Sequence, residues 1–161
     1  MKGNTKVIDL LNKQLTLELT SMDQYLAHSK IYEDWGINKL HEKLSHEYEE
    51  ELGHAKRLIE RIIFLEGKAD TVSREPVMVG DNVEQMLKND LAAENTVAAS
   101  LRNIIEVCEQ ERDYVSREIL EDLLDDTEMD HIYWLEQHLG LIDKIGLANY
   151  IQSQMGDASP S

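Results

Sequence analysis

Glu51-Leu52-Gly53-His54 and Glu128-Met129-Asp130-His131 decide how this chain reads. Each is Glu-x-x-His, which on a helix sets a carboxylate and an imidazole one turn apart on one face. A lone glutamate accompanies each: Glu18 stands 33 residues before Glu51, and Glu94 stands 34 before Glu128. All four glutamates fall on positions where the surrounding heptads call for an apolar residue. Ile8, Leu11, Leu15, Glu18, Met22, Tyr25, Ser29 and Tyr32 form one stripe. Leu44, Glu51, Leu58 and Leu65 form a second, and Leu87, Glu94, Leu101 and Cys108 a third. Leu124, Glu128, His131 and Leu135 form the fourth.

One core glutamate is unremarkable, because a long side chain can snorkel to water. Four together would cost several kcal/mol each and repel one another unless cations joined them. Four carboxylates and two imidazoles suit a pair of divalent first-row metals, a di-iron or di-manganese carboxylate arrangement in the middle of a helix bundle. The duplicated pattern implies a pseudo-twofold site.

The stripes predict four long helices and a short fifth. Apolar spacing and stop signals put them at about Thr5 to Asp34 and Asn38 to Glu66, then from after Asp81 to about Glu111. The fourth is expected from about Tyr114 to Leu139, stopped by Gly140, and the fifth near Leu147 to Met155. Glu84 reads as the reciprocal cap of the third. The stretch 67–80 is the one long connection, and its fourteen residues reach roughly 46–50 Å when extended. That spans a bundle of helices about 43 Å long, so the second and third helices are expected to run parallel. The fold class is therefore all-α, a four-helix bundle with one long crossover, over residues 1–155; residues 156–161 read as a disordered tail.

Composition bounds the function. The 161 residues fit one domain, and a formal charge of −16 argues against nucleic acid. The single cysteine, Cys108, excludes an internal disulfide and reads as core filler. No apolar run suits a membrane span, and a cytoplasmic protein is expected.

On these residues the chain resembles the bacterioferritin family over nearly its full length. The likeness extends to Met1-Lys2-Gly3, Tyr25, Trp35-Gly36, Ile59-Glu60-Arg61-Ile62, Asp113-Tyr114-Val115-Ser116-Arg117 and Asn149-Tyr150. It implies the ferritin-like fold and a ferroxidase centre. Glu18, Glu51 and His54 would bind one iron, Glu94, Glu128 and His131 the other, with Glu51 and Glu128 bridging. Tyr25 would stand beside the pair. It further implies a 24-subunit shell storing ferric mineral, Fe(II) oxidation by O2 or H2O2, and a ferredoxin-type reductant for release. Asn149 and Gln152 would line a shell pore. His46 and Glu50 would hold a third iron on the cavity wall. Trp134 is a candidate for radical chemistry.

Two departures qualify the likeness. Leu52 occupies the position of the haem-binding methionine, so a homo-oligomer should lack haem b. A mixed shell with a methionine-bearing partner subunit would be the route to it. The chain also carries one residue more before Glu128 than the family pattern, which implies a bulge in the fourth helix. Glu47 and Glu49 read as solvated, and His28, His41 and His138 as surface residues. The competing readings are a di-iron oxygenase, peroxidase or manganese catalase, a non-catalytic partner subunit, and a metal-free acidic interaction bundle.

Overall fold

The computed structural model describes residues 1–156, so nearly all of the expected disordered tail lies outside the described residues. Among them all regular structure is helical: α1 (Thr5–Asp34), α2 (Asn38–Phe64), α3 (Val83–Gln110), α4 (Tyr114–Asp126), a π segment (Thr127–Ile132), α5 (Tyr133–Ile145) and α6 (Leu147–Met155). α4, the π segment and α5 follow without a break as the fourth rod of the bundle. None of the helices is long and apolar enough to cross a membrane.

Caps set the ends. Asn4 accepts from the amides of Lys6 and Val7 to start α1, and Asp113 accepts from Ser116 to start α4. Gly36 takes the left-handed conformation after α1 (φ 75°). α2 stops two residues before the predicted end, and the left-handed position is Glu66 rather than Gly67. α3 is capped by Asn82, with Gln85 reaching back to the amide of Asp81, so the cap lies one residue beyond the predicted one. The fourth rod runs through Gly140 to Ile145 and ends at Gly146 (φ 82°). A helical glycine costs only about 1 kcal/mol, and continuing the helix buries Ile142.

Cross-links fix the directions. Gly3 donates to the carbonyl of Leu65, while His41 meets that of Ser29, so α1 and α2 are antiparallel. Asn4 pairs with Glu111 and Gln24 with Asp90, so α1 and α3 are antiparallel too. α2 and α3 are therefore parallel, as the long connection requires.

That connection is hung on α1 by polar side chains spaced four or eight residues apart. Asn12 bonds Lys68 and Asp70, Thr20 accepts from the amide of Glu75, Gln24 from Met78, and His28 Nε2 from Gly80. His28 is wholly buried, its Nδ1 2.9 Å from Asp90 Oδ1, and so is not the surface residue expected. Gly80 has no room for a side chain, since a Cβ would lie 2.6 Å from the Met86 amide nitrogen.

The apolar core is in two parts. One gathers Leu11, Leu15, Leu58, Ile62, Leu101, Ile104 and Cys108 among others, the second Tyr25, Tyr32, Leu40, Leu44, Met86, Leu87, Leu135 and Tyr150. Cys108 is fully buried, and burial pushes its thiol up to about 11, in keeping with a packing role. Between the two parts lies a layer of buried charge.

Candidate metal centre

The layer consists of Glu18 from α1, Glu51 and His54 from α2, Glu94 from α3 and His131 from the π segment. The three glutamates are 0% exposed and the histidines nearly so. Two groups of potential ligand atoms share Glu51: Glu18, Glu51 and His54, and Glu51, Glu94 and His131. Within each group the atoms lie within 4.8 Å of one another. His54 Nδ1 stands 3.8 Å from Glu18 Oε2 and 3.5 Å from Glu51 Oε2. His131 Nδ1 stands 3.1 Å from Glu51 Oε1 and 3.2 Å from Glu94 Oε1. The two imidazoles are close to parallel, 20° apart with centroids 6.1 Å apart, as a pseudo-twofold arrangement requires.

Both histidines turn Nδ1 toward the carboxylates and have the other nitrogen held. His54 Nε2 is 3.0 Å from Asp126 Oδ2, and His131 Nε2 is 2.5 Å from Glu47 and 2.6 Å from Glu50. Carboxylates that fix the distal ring nitrogen are the usual outer support of metal-binding histidines. Gln14 donates to Glu18 Oε1 at 3.0 Å, and the hydroxyl of Tyr25 donates to Glu94.

Electrostatics test whether cations fit. Glu18 Oε2, Glu94 Oε2 and His54 Nδ1 are buried with no hydrogen-bond partner, the pattern expected of donors that face an ion. Burial, reinforced by the charges of Glu18 and Glu94, pushes the Glu51 carboxyl well above the usual range. Burial also opposes charge on Glu18, yet its contacts with Glu51 and His54 outweigh this and hold it at about 2. His54 behaves inversely: burial opposes its charge, but Glu18 and Glu51 raise it to about 11. His131 is likewise raised, with Glu47, Glu50, Glu51 and Glu94 outweighing its burial. In the metal-free protein, protons on imidazole do the neutralising that divalent ions would otherwise do. Metal uptake must displace them and so is favoured by rising pH.

Glu128 departs from the sequence expectation. Its side chain is 39% exposed and pairs with Arg102 at 2.5 Å, away from both groups. The π segment is the cause. With i→i+5 bonding, the residue four before His131, not three, lies most nearly on its face. Thr127 thus takes the buried inward position and Glu128 is turned aside. The inner face of the fourth rod reads Leu120, Leu123, Thr127, His131 and Leu135, and the bulge implied by the extra residue encloses Glu128 itself.

A third group, Glu47, Glu50, Asp130 and His131, adjoins the second through His131. Glu50 belongs to it, whereas His46 is a neighbour that pairs with Glu50 at 2.7 Å while itself largely exposed. Contact with His131 chiefly holds the Glu50 carboxyl at about 2, despite partial burial. Glu47 is buried, not solvated, and is bound by Lys43 at 2.6 Å; Glu49 is exposed as expected. Glu47 lies four residues before Glu51 and Gln14 four before Glu18, and that spacing was the available signal for both. His41 is half-buried between Ser29 and Glu33, and His138 half-buried against Trp134 and Tyr150. Leu52 is half-buried against the first part of the core.

Comparison with known proteins agrees with this layout. Residues 8–145 match the ferritin-like domain. The chain is 52% identical to "Bacterial ferritin" of Synechocystis sp. over 96% of its own length and 99% of that protein's. It is 52% identical to "Bacterial ferritin" of Pseudomonas aeruginosa (96% and 100%) and 42% identical to "Bacterioferritin" of Brucella melitensis (94% and 94%). With the bundle, its crossover and the carboxylate–histidine layer, these matches show that the chain belongs to the ferritin family.

Proposed function

We propose that this chain is an iron-storage subunit with ferroxidase activity, oxidising Fe(II) to Fe(III) in the layer between its two apolar cores. The observation that carries the reading is Glu51, whose carboxylate belongs to both ligand groups and lies within reach of both imidazoles. One Fe(II) would take Glu18, Glu51 and His54, the second Glu51, Glu94 and His131. Two Fe(II) supply two electrons together. O2 takes them with two protons to give H2O2, and H2O2 takes them with two protons to give two waters. Hard carboxylate oxygens favour Fe(III) over Fe(II), so the ligand set itself promotes the oxidation.

The protein's part is positional. Asp126 orients His54, Glu47 and Glu50 orient His131, and Gln14 holds one oxygen of Glu18 so that the other faces the metal. Tyr25 fixes Glu94 through its hydroxyl. Glu47, Glu50 and Asp130 provide a third position through which ferric product leaves toward a store, with His46 beside it. The store is the cavity of a 24-subunit shell in the cytoplasm, built from this chain alone or with a methionine-bearing partner. A ferredoxin-type reductant would release the iron. Leu52 offers no donor to haem, so shells of this chain alone carry none. In this reading Glu128 joins the second ion only if it leaves Arg102.

The test is stopped-flow absorbance of the metal-free protein mixed with two Fe(II) per subunit in air, beside Glu18→Ala. A fast phase saturating at two irons and lost in the variant is expected. Oxidation no faster than in buffer would reduce the chain to a passive shell subunit.

A further inference from the structure

Trp134 stands between the ligand layer and the C-terminal helix. It shares a cavity of about 10 Å3 with Tyr25, Glu47 and His131. It is also stacked on His138, with ring centroids 3.9 Å apart and planes 24° apart. Nδ1 of His138 in turn lies 2.6 Å from the phenolic oxygen of Tyr150. Tyr150 is 0% exposed at the base of α6. Three rings that can exchange electrons or protons are thus in unbroken contact, from the edge of the metal layer to a dry pocket beyond it.

The charges along this line are not uniform. Lys43 Nζ lies 5.3 Å from the centroid of the Trp134 ring. A cation over the face of an indole is attracted by its π electrons, and for the same reason opposes a second positive charge on the ring. Removing an electron from Trp134 therefore leaves the hole poorly stabilised where it is. At Tyr150 the situation is reversed. Burial, with help from the charge of Lys43, holds the His138 imidazolium at about 4, so the ring is neutral at pH 7 and its Nδ1 accepts the phenolic hydrogen bond. Tyr150 can then lose an electron and a proton together and remain neutral.

We propose that Trp134, His138 and Tyr150 form an electron-donating relay that draws a single oxidising equivalent out of the metal layer and lodges it on Tyr150. The relay rests on the reading of that layer as an Fe(II)-oxidising site. It operates when H2O2 meets a site holding only one Fe(II). That ion gives one electron, and Trp134 gives the second. The peroxide takes both with two solvent protons and leaves as two waters. Tyr150 then returns an electron to Trp134 and passes its phenolic proton to His138 Nδ1. The products are a neutral Tyr150 phenoxyl radical, a His138 imidazolium and a restored Trp134. An unpaired equivalent that would otherwise leave as hydroxyl radical is held in a pocket closed to water.

Two measurements test this on the assembled protein. In the metal-free Trp35→Phe protein, which leaves Trp134 as the sole tryptophan, a laser flash ejects an electron to hexaamminecobalt(III) as scavenger. The tryptophanyl absorbance is expected to decay into that of a tyrosyl radical. Tyr150→Phe should abolish the conversion, and His138→Leu should slow it. In the second measurement, protein carrying one Fe(II) per subunit is mixed with H2O2 and freeze-quenched for electron paramagnetic resonance. A tyrosyl signal is expected in the wild type and in Tyr133→Phe, which removes an exposed phenol beside Trp134, and its loss in Tyr150→Phe.

A tyrosyl signal undiminished in Tyr150→Phe, or no conversion after the flash, overturns the relay. If Fe(II) is oxidised rapidly by H2O2 but no radical forms, the relay alone is overturned. If the flash arm succeeds while Fe(II) is oxidised no faster than in buffer, the ferroxidase reading fails and takes the metal-fed relay with it.

Discussion

Replacing Glu51 by glutamine should remove both metal positions at once, whereas Glu18→Gln should remove only one. Glu51 is the residue common to the two ligand groups, and Glu18 belongs to the first alone. A redox-inert divalent ion such as Zn(II), held at 1,000 times its Kd, stabilises the fold by about 4 kcal/mol per site. For a chain of this size 1 kcal/mol moves Tm by about 2–4 °C. The wild type should therefore gain about 16–32 °C from two ions, Glu18→Gln about half of that, and Glu51→Gln less than about 4 °C.

The metal-free proteins should order differently. Glu18 is held at about 2 against a reference of 4.5, so its ionised form contributes about 3 kcal/mol. A depressed carboxyl gives stability that is present above pH 4.5 and lost as pH falls toward 2. Glu18→Gln forfeits this at neutral pH. The Glu51 carboxyl is instead pushed up by burial and by Glu18 and Glu94, so Glu51→Gln should cost the metal-free protein less than Glu18→Gln does. Differential scanning calorimetry in chelator and in Zn(II), with calorimetric titration for stoichiometry, measures both effects. If Glu51→Gln retained one full site, or destabilised the metal-free protein as much as Glu18→Gln, the shared-ligand geometry would be refuted.

Gly80→Ala should cost about 1–3 kcal/mol, because its Cβ would meet the Met86 backbone; faster proteolysis between Gly67 and Gly80, with urea unfolding, checks it. Arg61→Ala should cost about 3–5 kcal/mol in urea unfolding, since Arg61 bonds Ser116 and Asp113, each at 2.8 Å, in a nearly buried cluster. Glu94→Gln should abolish the fast phase of Fe(II) oxidation, while Glu128→Gln, whose carboxylate rests on Arg102, should slow it far less. Equal loss in the two variants by stopped flow would place Glu128 at the metal during turnover.

Much of this arrangement was legible in the sequence because heptad phase and burial are two expressions of one period. Glu18, Glu51 and Glu94 sit in apolar stripes, and all three are fully buried. The crossover followed from chain length alone. The misplacement of Glu128 shows where that logic stops. Heptad reading assumes an unbroken α-helical pitch, and one added residue taken up as a π turn moves every phase within it. His28 was misread for another reason. Its partners are a loop amide and an aspartate 62 residues away, Asp90, and no local period encodes them. The same holds for His138, whose environment is made by the return of α6.

The split core has a mechanical consequence. A layer of buried charge separates two apolar clusters, so in the metal-free protein the waist of the bundle is the part least held together. Amide hydrogens near Glu18, Glu51 and Glu94 should exchange through local openings that leave the two ends intact. Two divalent ions would rivet that waist across all four rods, and stiffness would then report occupancy. A partner that senses rigidity could thus distinguish a loaded subunit from an empty one without touching the metal.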